Sequence, residues 1–131
     1  MSLIQSGSPS FKDEQLKYDR VFQAYKDKSE DVYAKLKKVG IHQQNFEIFI
    51  RGFKFEEDLE VWAKNIDEEN YKLVTTYKFC QNVGELGPKR REGDTQIPEG
   101  IYSISKVNPN SDFFLSLKID YPNKSDRVLS D

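Results

Sequence analysis

The sequence is poor in the residues on which most enzyme sites and cross-linked folds depend. It has one cysteine and one histidine among 131 residues, so it can form no internal disulfide framework and no zinc site built of cysteines alone. The charges are nearly balanced, with 20 basic and 22 acidic residues and a net charge of −2. This balance argues against nucleic acid as a partner. No apolar run approaches the roughly 20 residues of a transmembrane helix.

The hydrophobic content is sufficient for a core. Leu, Ile, Val and Phe account for 35 of the 131 residues, above the range of disordered chains. The exception is the start of the chain, where residues 1–9 are small and mostly polar and lack the basic and apolar regions of a signal peptide. We interpret residues 1–9 as a disordered or vector-derived leader and expect any native signal peptide to have been removed.

Residues 10–40 show the period of one helix face. Ser10 is an expected N-cap, Asp13 is its partner in a capping box, and Gly40 is suited to end the helix. The polar stretch 27–30 is the expected break if the segment is a helical hairpin and not one amphipathic helix. The apolar face contains Phe11, Tyr18, Phe22, Tyr25, Val32, Leu36 and Val39. Such a narrow stripe needs a partner, either the following domain or a second copy of the chain.

After Gly40 the period changes to 2, which is typical of strands. Short alternating runs separated by turn residues predict an antiparallel β-sandwich or barrel. Residues 108–112 form one of the expected breaks between strands. The expected strands are Phe46–Arg51, Leu59–Lys64, Tyr71–Cys80, Ile101–Val107 and Phe113–Ile119.

One connection is too long to be a simple turn. Gln81–Gly100 spans 20 residues with four glycines and two prolines, and loops of this length in a compact domain are usually functional or mobile. It contains the basic triplet 89–91. The triplet suits a substrate carboxylate or phosphate, or it is a solvated loop beside Glu92 and Asp94.

The sequence offers little for catalysis or metal binding on its own. Cys80 is the sole thiol and His42 the sole imidazole that could activate it. Nothing in their positions indicates a pair, and a small buried thiol and a surface histidine are the simpler interpretations. The acidic runs lack the spacing of a calcium loop. We therefore predict no metal and no cofactor.

Three elements of the sequence carry a family resemblance. Residues 84–102 are similar to a Gly-Asp-x-x-Thr-Pro-x-Gly-x-Tyr element, with Ile97 where threonine is usual, and residues 121–123 form a Tyr-Pro-Asn turn. With the preceding strands, the region from Phe46 to Arg127 resembles the L,D-transpeptidase (YkuD-like) catalytic domain, in its murein-acting branch. The resemblance implies a mostly antiparallel β-sandwich, in agreement with the strand pattern.

The resemblance also implies a chemistry. In the family a cysteine thiolate attacks a carbonyl of a peptidoglycan stem peptide, with a histidine as base. The family's Ser/Thr-x-Gly-Cys segment does not occur in this sequence, so neither Cys80 nor His42 is assigned a catalytic role. We expect the nucleophile to lie beyond residue 131, this chain to be incomplete and inactive alone, and residues 41–131 to be the N-terminal part of the domain. The implied location is the cell envelope, periplasmic or exported.

The residues expected to contact a stem peptide lie in the long connection and the Tyr-Pro-Asn turn. They are Arg90, Arg91, Gly93, Asp94, Pro98, Gly100, Tyr121 and Asn123. The alternative function is a non-catalytic module of the cell envelope that binds murein or a protein. In either case, the helical arm and an open sheet edge are expected sites of self-association.

Overall fold

The computed structural model describes residues 10–42, 44–79 and 84–129. Its strands pair in antiparallel fashion in two open sheets, ordered β1-β2-β3 and β4-β5. The predicted β-rich antiparallel fold with helices at its N-terminus is confirmed. The elements are α1 (Phe11–Gln15), α2 (Asp19–Lys38), β1 (Phe46–Phe53), β2 (Asp58–Asn65), β3 (Lys72–Lys78), β4 (Ile104–Ser111), β5 (Phe114–Ile119) and α3 (Lys124–Leu129).

The chain divides into two compact units. The first contains the residues up to Glu30 together with Ile104–Ile119, and the second contains Asp31–Ser103 together with the residues from Asp120 onward. Among the described residues, no helix combines the length and the apolar character that crossing a membrane requires.

In the first unit, the helical arm begins as the sequence predicts but breaks elsewhere. Ser10 caps α1, and Asp13 completes the capping box. The interruption lies at residues 16–18 and not at the predicted polar stretch 27–30, which is helical within α2. Across the interruption, Lys12 Nζ donates a hydrogen bond of 2.8 Å to the hydroxyl of Tyr25, which joins the two helices.

The hairpin β4–β5 completes the first unit. β4 continues to Ser111, so the break predicted for 108–112 is wrong for most of its length. The register shifts between Asn108 and Ser111, and this irregularity accommodates Pro109, which has no N–H to donate. Arg20 on α2 donates to the carbonyl oxygens of Ser111 and Phe114 at the turn.

The second unit is built on the three-stranded sheet. β1 and β2 pair from Phe46–Asn65 to Phe53–Asp58, and β2 pairs with β3 across a bulge at Val61 and Trp62. The expected third strand ends at Lys78; Cys80 lies outside the described residues. The core is small. It contains Leu36, Ile41 and Ala63, with Tyr33, Val39, Phe46 and Val74 packed against them.

Candidate functional site

The connection that precedes β4 is organised around one carboxylate. Asp94 accepts hydrogen bonds from the side chain of Lys89 (2.6 Å) and from the backbone N–H groups of Arg90 (2.9 Å), Arg91 (3.0 Å) and Gln96 (3.1 Å). The Lys89 ammonium, followed by the backbone donors, holds the pKa of Asp94 well below its ordinary value. Asp94, predicted as a substrate contact, is thus engaged within the loop.

The two ends of this loop meet at a lysine that follows β1. Lys54 Nζ donates to the carbonyl oxygen of Gly87 (2.8 Å) and forms an ion pair with Glu99 (2.9 Å). Glu99 in turn accepts from the backbone N–H of Gly87 at 2.9 Å. The bond from Lys54 lowers the pKa of the Glu99 carboxyl. The triangle of Lys54, Gly87 and Glu99 fixes the width of the loop at its base.

A second cluster positions the turn before α3. Asn123 and Asp126 exchange hydrogen bonds of 2.9 Å in a reciprocal cap, and Asn123 Nδ2 donates to the carbonyl oxygen of Ile101 (3.2 Å). The hydroxyl of Tyr102 donates to Asp126 at 3.0 Å. Burial, followed by this bond to Asp126, raises the pKa of Tyr102 to about 12. The ring of Tyr121 lies edge-on to that of Tyr102, with centroids 6.1 Å apart.

The basic triplet and the first two residues of the Tyr-Pro-Asn turn face one concave pocket within the second unit. Its volume is about 510 Å³, within the range of sites that hold small ligands. Arg90 Nη1 donates to the carbonyl oxygen of Leu129 (3.2 Å), which ties the loop to α3. The pocket is lined by Lys89, Arg90, Arg91, Glu92, Tyr121, Pro122, Asp126 and Arg127.

The structure brings together three of the eight expected substrate contacts. Arg90, Arg91 and Tyr121 line the pocket. The other five do not appear in its lining: Gly93, Asp94, Pro98, Gly100 and Asn123.

Two of those five are glycines at positions where a larger residue would be unfavourable. Gly93 has a φ of 76°, which favours glycine. At Gly100 an added Cβ would lie 2.8 Å from the hydroxyl of Tyr102, so a larger residue would displace that side chain.

Sequence reasoning missed two charged residues of the pocket. Asp126 carries a detectable signal, because an acidic residue three positions after Asn123 matches the spacing of a reciprocal helix cap. Arg127 carries no such signal in the sequence, because its place in the lining depends on where α3 begins, at Lys124.

The sequence predicts no catalytic pair of Cys80 and His42, and the structure describes only His42. His42 is exposed, and its backbone N–H donates to Asn65 Oδ1 at 2.9 Å. Cys80 lies outside the described residues. Among the residues that the structure describes, no three His, Cys, Asp or Glu side chains are grouped so as to hold a metal ion.

Comparison with known proteins identifies relatives of part of the chain. Over 83 residues, 62% of its length, the sequence is 39% identical to YafK of Escherichia coli K12, which is named as a candidate L,D-transpeptidase. This part of the chain is similar to a protein named for L,D-transpeptidase activity. The protein of the same name from Escherichia coli O157:H7 gives the same identity and coverage.

The similarity confirms the predicted family resemblance and sets its extent. The matched region covers 33% of each relative, so the chain spans about one third of the length of the proteins it matches. No protein-family model and no solved structure matches it.

Proposed function

We propose that this chain is part of an enzyme that catalyses cysteine-dependent acyl transfer on the stem peptides of peptidoglycan. The observation that carries the proposal is the 39% identity over 83 residues to a candidate L,D-transpeptidase. The pocket supports it, because the loop and the turn that resemble family elements face one cavity. The same proposal assigns the protein to the cell envelope, where peptidoglycan lies.

In this proposal the described residues bind the substrate, and the nucleophile belongs to a segment beyond residue 131. The base takes the proton of the thiol, the resulting thiolate attacks a peptide carbonyl to form the thioester, the C–N bond breaks, and the departing amine takes the proton from the protonated base. An acceptor amine then attacks the thioester, which releases the thiol and forms the new amide. Arg90, Arg91 and Tyr121 form one wall of the cleft that holds the donor peptide.

The direct test uses the protein expressed from the complete gene. We expect incubation with murein stem peptides to give acyl-transfer products by mass spectrometry, and replacement of the cysteine in a Ser/Thr-x-Gly-Cys segment to abolish them. A gene product that binds murein without forming any product would instead favour the non-catalytic binding module.

The arginines provide a second test in the same protein. Arg90→Ala combined with Arg91→Ala should lower kcat/KM by about tenfold or more, because hydrogen bonds to charged groups contribute about 1.5–3 kcal/mol. Arg51→Ala is the matched control, since Arg51 lies on β1 and does not line the pocket. An unchanged kcat/KM in the double variant would remove both arginines from the binding site.

A further inference from the structure

We infer that the pocket selects its peptide by a free carboxylate, bound by Arg91, and rejects the same peptide once its carboxyl groups are amidated. The inference rests on the proposed function and adds to it the chemical class of the group that is recognised. It follows from the pairing of the charged side chains around the pocket.

The four cations of the lining are not equivalent. Lys89 is neutralised by Asp94 at 2.6 Å, and the two side chains are only 17% and 12% exposed. Arg90 is bonded to the backbone of α3 through Leu129. The guanidinium of Arg91 makes no hydrogen bond or ion pair with the residues that the structure describes, and the residue is exposed. Arg91 is therefore the cation of the triplet that is available to a ligand.

The guanidinium groups of the lining outnumber its carboxylates. Both oxygens of Asp126 already accept hydrogen bonds, one from the hydroxyl of Tyr102 and one from the backbone N–H of Asn123. Besides Asp126, only Glu92 contributes a carboxylate to the lining, against the guanidinium groups of Arg90, Arg91 and Arg127. The surplus of guanidinium groups in a chain of net charge −2 favours an anionic ligand.

The shape of the site favours a peptide carboxylate over a small inorganic anion. The rings of Tyr121 and Pro122 form part of the lining, and the ring of Tyr121 is positioned by its contact with Tyr102. They offer apolar surface to the body of a ligand whose charged end reaches Arg91. A guanidinium matches the two charged oxygens of a carboxylate, whereas a carboxamide is neutral and replaces one of these acceptors with an NH₂ donor, so it loses the bidentate, charge-assisted pair.

The experiment measures binding of two synthetic stem peptides to this 131-residue chain by calorimetry. The peptides have the same sequence, one with free carboxyl groups and one with every carboxyl converted to the carboxamide. We expect amidation to weaken binding about tenfold or more, the loss of one charge-assisted contact. Arg91→Ala should weaken binding of the free peptide to the same degree and leave binding of the amidated peptide unchanged. The affinity of Arg91→Lys for the free peptide should lie between those of the wild type and Arg91→Ala.

The controls separate the inference from the proposed function. Arg51→Ala should bind both peptides as the wild type does, and circular dichroism checks that each variant is folded. Equal binding of both peptides, or an Arg91→Ala variant that still prefers the free peptide, would overturn the inference and leave the proposed function intact. Binding of neither peptide would overturn both. Inorganic phosphate that binds as tightly as the free peptide would show a general anion site and overturn the peptide-specific inference.

Discussion

Single residues determine the shape of the loop that faces the pocket. The carboxylate of Asp94 collects one side-chain donor and three backbone donors within eight residues of sequence. Because these donors bond the ionised form, the loop is more stable when Asp94 is deprotonated. The conformation of the basic triplet thus depends on the charge of one half-buried side chain.

We predict that Asp94→Asn destabilises the protein in a pH-dependent way. The folded pKa of Asp94 lies below the ordinary value of 3.8. The stability that this carboxylate contributes is therefore complete above about pH 4 and declines as the pH falls toward the folded pKa. Urea unfolding at neutral and at acidic pH measures this. The difference in unfolding free energy between wild type and variant should be smaller at acidic pH. Asp67→Asn, in an exposed turn, is the control, and a gap of constant size would contradict the prediction.

Two loop glycines should respond differently to the same substitution. Both have positive φ, 90° at Gly84 and 76° at Gly93. At Gly93 a Cβ meets open space, so Gly93→Ala should cost only backbone strain, about 1 kcal/mol. At Gly84 a Cβ would lie 2.6 Å from the carbonyl oxygen of Thr95, so Gly84→Ala should cost at least about 2 kcal/mol. Urea denaturation measures both, and equal losses would contradict the described contact.

At the scale of elements, α3 depends on its cap. Asn123→Ala removes the oxygen that accepts from the backbone N–H of Asp126 and should lower the free energy of unfolding by about 1 kcal/mol. Asn123→Ser keeps an accepting oxygen and should lose less. Equal losses from the two variants would assign the role of Asn123 to its bond with Ile101 and not to the cap.

The sequence predicted which elements exist better than where they are interrupted. The capping box of α1 and the positive φ of Gly40 follow from local chemistry and are confirmed. The polar stretch 27–30 was predicted to interrupt the helix, but it lies within α2. Side-chain pairs one turn apart stabilise the helix there. Gln23 bonds Asp27 at 2.8 Å and Asp31 pairs with Lys35 at 2.8 Å.

The site was predictable only in part, for a related reason. A family-like motif identified the loop and the turn, and thereby Arg90, Arg91 and Tyr121. Sequence spacing alone does not show which polar groups satisfy one another in the folded chain. Asp94 and Asn123 were therefore predicted as substrate contacts, although their described hydrogen bonds hold the loop and α3.

At the scale of the whole molecule, exposed strands favour self-association. Within the part of the chain that the structure describes, β4 and β5 pair only with each other. Leu117 on β5 is 53% exposed, and Ile104 and Ile119 are 48% and 43% exposed. Unpaired backbone groups beside apolar side chains form a template for a second chain.

We predict that the mass of this chain in solution rises with its concentration. Leu117→Lys should suppress the rise, since a lysine on an edge strand opposes pairing. Leu86→Lys is the matched control, because Leu86 is also exposed, at 67%, but lies in a loop. Light scattering measures both variants, and a monodisperse monomer of the wild type would contradict the prediction.

The triangle at Lys54 has a consequence for how this fold can vary. Gly87 and Glu99 are held beside the end of β1 by one ammonium group, so the distance between the two ends of the loop is set independently of what lies between them. Insertions or deletions among the intervening residues would leave the neighbouring strands in register. The part of the pocket lining that the loop contributes can therefore diverge among homologues faster than the neighbouring sheet.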